Sequence, residues 1–126
     1  MEIVALLIFA LELALLFVHE MDAIRRQEWK MFVFLKDMAD EKAYRVFMLL
    51  HIPLYTAVLG LLLSDYARIG IYITDIVLMA HLLVHVVFRR HPANKLNGRM
   101  SKSIIYAAGL LAAIHLVLYS NSFFGL

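Results

Sequence analysis

Cysteine is absent from the chain, which excludes thiolate metal sites, disulfides and thiol nucleophiles and leaves the compartment open. Charge is almost absent from long stretches: between Ile3 and Val18 the sole ionised side chain is that of Glu12. No basic cluster precedes this first apolar run, and it ends in His19-Glu20 rather than in small residues. A cleavable signal peptide is therefore not expected, and residues 3–24 read as a retained span. There is no tandem repeat and no low-complexity segment. Nor is there room for a separate soluble domain, because 126 residues accommodate four spans of roughly 20 residues with short connections.

What is present is apolar. Hydrophobic residues make up 63% of the chain, against roughly 45–50% in soluble domains. The expected fold is an all-α, integral-membrane four-helix antiparallel bundle in a single domain, with spans at about residues 3–24, 43–63, 69–88 and 103–119. The bilayer is the first partner implied. The net charge of +2 does not indicate nucleic acid, because the basic residues lie in the loops. Arg25, Arg26, Lys30, Lys36 and Lys42 fall in connection 1, and Arg89, Arg90, Lys95, Arg99 and Lys102 in connection 3. The positive-inside rule then places connections 1 and 3 in the cytoplasm and both termini outside it, in a cell (inner) membrane.

Local signals refine this outline. Trp29, Phe32 and Phe34 interleave with the charges of connection 1 and predict an interfacial stretch. Asp40-Glu41 is suited to cap span 2, and Ser101 or Ser103 to cap span 4. Pro53 predicts a bend in span 2 and a freed carbonyl near Leu49, within a turn of His51. Ala107-Ala108-Gly109 and Ala112-Ala113 form a small-residue face for close packing on span 4.

Four histidines fall at one depth. Counting a rise of ~1.5 Å per residue from the basic residue bounding each span places His19 and His51 at ~9 Å, and His85 and His81 at ~6 and ~12 Å. Glu20 and Asp22 lie between these and the surface. A second layer, Glu12, Asp75 and His115, falls at ~20 Å. His81 and His85 are an i, i+4 pair able to converge on one ion. The expected metal ligands are His19, His51, His81 and His85 with Asp22 or Glu20, and zinc, iron or manganese suits that donor set. A metal so held would activate water or oxygen against a lipid-soluble substrate, with Asp22 or Glu20 as general base.

Other readings use the same residues. Haem b or a quinone could sit in the bundle, with His51 and His85, or His19 and His85, as facing haem ligands. A structural or accessory subunit would use the histidines only to fix helix pairing. The deeper layer reads as a structural polar contact, with a proton path or a second metal as alternatives. Arg25, Arg26, Arg89 and Arg90 read as orientation signals, or as a clamp for a phosphate-bearing head group. A transporter would need a homo-oligomer, since four spans enclose little cavity.

The motif His19-Glu20-Met21-Asp22-Ala23-Ile24-Arg25-Arg26-Gln27-Glu28-Trp29, followed by Tyr44-Arg45-Val46-Phe47 and Phe88-Arg89-Arg90-His91-Pro92, resembles a family of small bacterial membrane proteins of unknown function. The resemblance covers most of the chain. It implies four spans and no assigned activity, and it singles out His19, Glu20, Asp22, Glu28, Trp29, Arg90 and His91. The His81/His85 pair and Asp22 also resemble, in kind, the zinc ligands and aspartate of the ceramidase and adipose-receptor-like membrane hydrolases. The chain departs from that pattern in having four spans rather than seven, with its pair on the third.

Overall fold

The computed structural model describes the backbone of residues 3–124 and the side chains of residues 3–120. The fold is all-helical. α1 (Ile3–Arg25), α2 (Asp40–Leu62), α3 (Ala67–Val87) and α4 (Arg99–Phe124) form an antiparallel bundle, with 3-10 turns at Glu28–Met31 and Phe88–Arg90. All four helices are long and apolar enough to cross a membrane. In lipid a span must satisfy its own backbone polar groups, which the helix does. The distribution of side chains is inverted relative to a soluble bundle. Glu12, His19, Asp22, Asp75, Ser101 and His115 are buried, whereas Leu7, Leu11, Leu50, Ile76, Leu83 and Leu110 face outward. An exposed apolar surface of that extent needs a lipid solvent.

The bundle is uneven. α4 packs closely against both α1 and α3, while α2 leans on α3 and stays largely clear of α1. The small-residue face of α4 allows this: Ala108 and Ala112 are buried, and a Cβ on Gly109 would meet Leu82 Cδ2 at 2.5 Å. The only buried side chains of α2 are Ala43 and Phe47, both near its start. α1 and α2 instead meet through long side chains, Glu20 with His51 and Phe17 with Tyr55.

Two capping expectations are corrected. Ala39 takes the N-cap position of α2, so Asp40 and Glu41 lie in its first turn, where they still favour the helix dipole. α4 begins at Arg99, so Ser101 and Ser103 lie inside it. Ser101 is not a cap, and its hydroxyl is drawn to a carboxylate of α1, as described below. α2 runs on through Pro53.

Candidate metal centre

α1 ends where the chain reverses. Gln27 adopts φ 58° and ψ 48°, the left-handed region that non-glycine residues rarely occupy. Lys95 Nζ, from the connection between α3 and α4, donates to Gln27 Oε1 at 2.6 Å. The reversal sends Glu28 back under the end of α1. Trp29 then anchors it, buried against Tyr44 and Phe47 with ring centroids 5.6 and 5.7 Å away. Connection 1 thus folds onto the bundle rather than lying only along its rim.

Glu28 arrives at three imidazoles. His19 Nε2 lies 2.8 Å from His81 Nε2, and His81 Nε2 lies 3.0 Å from His85 Nε2. Glu28 completes the group, with Oε2 3.6 Å from His19 Nε2 and Oε1 3.4 Å from His85 Nε2. One ligand atom from each of the four side chains lies within 4.8 Å of all the others. Zinc–nitrogen bonds of ~2.0–2.1 Å imply ligand–ligand edges of roughly 3.3–3.4 Å in a tetrahedron, and the observed separations bracket that length. Three imidazole nitrogens facing one another also need protons or a cation between them. Burial pushes the Glu28 carboxyl up. The contact with His85 and the charges of His19, His85 and His81 outweigh it and hold the group below the usual carboxylate range, so Glu28 stays an anionic donor.

His51 and Asp22 are not brought into this group. His51 Nδ1 donates to the Phe47 carbonyl at 2.6 Å, which turns Nε2 to Glu20 Oε2 at 3.0 Å. A proton must sit between those two atoms, since an unprotonated Nε2 and a carboxylate would both be acceptors. Asp22 accepts from Ser101 Oγ of α4 and, at 3.3 Å, from Arg26 Nε. It ties α1 to the start of α4. His85 Nε2 faces His81 and Glu28, so it is not paired with His51 across the bundle. His91 belongs to its own loop, where Nδ1 accepts from the Ala93 amide.

A cavity of about 610 Å³ adjoins the cluster, lined chiefly by connection 1 and α2, with Glu20 of α1 and His81 of α3. Glu20, Glu28, His51 and His81 supply its polar wall, and Phe32, Leu35, Val46, Phe47, Leu50 and Leu54 are among its apolar lining. Reading the helices by depth missed Glu28 as a member, because it follows a chain reversal. Its one signal in the sequence was its place in the Glu28-Trp29 pair.

A second group lies deeper. His115 Nδ1 is 2.9 and 3.1 Å from the two oxygens of Asp75 and 3.6 Å from Glu12 Oε1. Each of the three side chains comes from a different helix, and all are 0% exposed.

No curated protein and no solved structure gives a significant match to the chain. A family model described as a family of unknown function matches residues 5–122. The chain belongs to that family, DUF6713.

Proposed function

We propose that this is a membrane metalloprotein whose centre is held by His19, His81, His85 and Glu28, and that the bound ion acts on a lipid-soluble molecule occupying the adjoining cavity. One observation carries the reading: three Nε2 atoms and a buried carboxylate converge within 4.8 Å. Borderline nitrogen and oxygen donors suit zinc, iron or manganese. A four-coordinate zinc would be closed by these ligands, whereas a five- or six-coordinate ion keeps positions free on the cavity side. A bound ion would supply Lewis acidity or an activated water. The chain's own residues would do the rest: the apolar wall excludes water and takes the hydrocarbon portion, and the Glu20–His51 pair holds a transferable proton. Asp22 is a positioning residue in this reading, fixing the turn of α1 that carries His19. By the positive-inside rule the centre lies in the cytoplasmic half of a cell membrane, with both termini outside.

The test is elemental analysis with a visible spectrum on detergent-purified protein, comparing wild type with His85→Ala and Glu28→Gln. One equivalent of zinc, iron or manganese lost in both variants, with no Soret band, supports the centre. Unchanged metal content in both variants, or a Soret band in the wild type, overturns it.

A further inference from the structure

We propose that Glu12, Asp75 and His115 form a second divalent-cation site, sealed in the core and serving to hold α1, α3 and α4 together. It is distinct from the outer centre. Glu12 precedes His19 by seven residues and Asp75 precedes His81 by six, which separates the two groups by ~9–10 Å along the helix axes. Apolar side chains close it on both sides. Phe9, Ile71 and Tyr119 pack together at one end, and Leu78, Ala108 and Ala112, with Leu15 and Leu16, at the other.

The buried charge gives a guest ion a place to bind. Two carboxylates and one imidazole meet at zero exposure, and neither oxygen of Glu12 receives a hydrogen bond. An imidazolium compensates one carboxylate, and the other must then hold a proton or face a cation, since an isolated buried anion is strongly unfavourable. A divalent cation neutralises both at once, with neutral His115 as the third ligand. The distances from His115 suit a hydrogen bond to Asp75 and leave Glu12 poised to share an ion. The 3.6 Å separation of Glu12 Oε1 from His115 Nδ1 is too long for a hydrogen bond, but it is close to an edge of a coordination polyhedron with ~2.0–2.2 Å bonds. Asp75 turns both oxygens to the same nitrogen, a disposition that lets it contribute two donor atoms. Three oxygens and one nitrogen suit manganese, iron or zinc.

The experiment counts metal in the purified protein expressed in manganese-supplemented medium, so that the ion is present as the bundle assembles, and freed of loose ions. His85→Ala, with its outer cluster broken, should keep one equivalent, released slowly to a chelator because the site has no opening. Glu12→Gln and Asp75→Asn, with helicity checked by circular dichroism, should each hold one equivalent fewer than wild type. Failure of the outer centre alone would show as one equivalent in wild type that His85→Ala retains and Glu12→Gln loses. An empty His85→Ala protein overturns the proposal whether or not the deep variants fold. Folded deep variants with wild-type metal content also overturn it, and the triad is then a proton-sharing cluster.

Discussion

The two polar clusters differ in composition and in access. The outer one is nitrogen-rich, takes its carboxylate from a connection rather than a helix, and borders a cavity of about 610 Å³. The inner one is oxygen-rich, draws one residue from each of three helices, and is enclosed by apolar packing. Two different donor groups are thus set in opposite surroundings. A ligand group beside a cavity can exchange what it holds and meet a substrate, whereas an enclosed one can only retain its guest and link the helices around it.

The comparison breaks most visibly at His115. His115→Ala leaves Glu12 and Asp75 without the group that both face, and loss of one partner of a buried pair costs about 3–5 kcal/mol. His85→Ala, at the edge of the outer cluster, should cost less than half as much in the same thermal or denaturant unfolding measurement. Equal losses would mean that the outer cluster is as structural as the inner one.

Gly109 bears on both clusters. A Cβ there meets Leu82 at 2.5 Å, so Gly109→Leu should force α3 from α4 and cost about 1–3 kcal/mol. Metal content should fall at the inner site, whose ligands sit on both helices, more than at the outer, whose ligands lie on α1, α3 and connection 1.

His51→Ala sharpens the outer site alone. The His51–Glu20 pair lines the cavity without joining the four converging ligands, so the variant should keep the wild-type metal count. Its destabilisation should be about 1 kcal/mol, the scale of a partly buried hydrogen bond. Loss of bound metal would show that His51 turns inward to bind the ion, contrary to its present partners.

Depth along a helix was legible because the rise per residue is constant. Counting from the basic residue bounding each span separated His19, His81 and His85 from Glu12, Asp75 and His115 on sequence alone. Rotation about the helix axis was not legible. His51 shares the depth of the outer cluster, yet α2 turns it to Glu20. Asp22 shares the stripe of His19 and is taken up by Ser101 across a tertiary contact. Glu28 was concealed by the left-handed turn at Gln27, a conformation that glutamine does not announce. The smallest expected effect lies there. Gln27→Gly relieves the left-handed backbone but loses the Lys95 contact, so stability should change by less than about 1 kcal/mol, with outer metal binding retained.

The central position of α4 has a consequence for how the protein is made. Chains emerge from the N-terminus, so α1 and α3, carrying Glu12 and Asp75, are synthesised before His115 exists. Two carboxylates enter the bilayer with their shared partner still on the ribosome, and intramembrane acids in that state are costly. α4, translated after α1 and α3, therefore completes the polar core and closes the bundle. Until it arrives, α1 and α3 have reason to stay with the insertion machinery rather than move off into lipid.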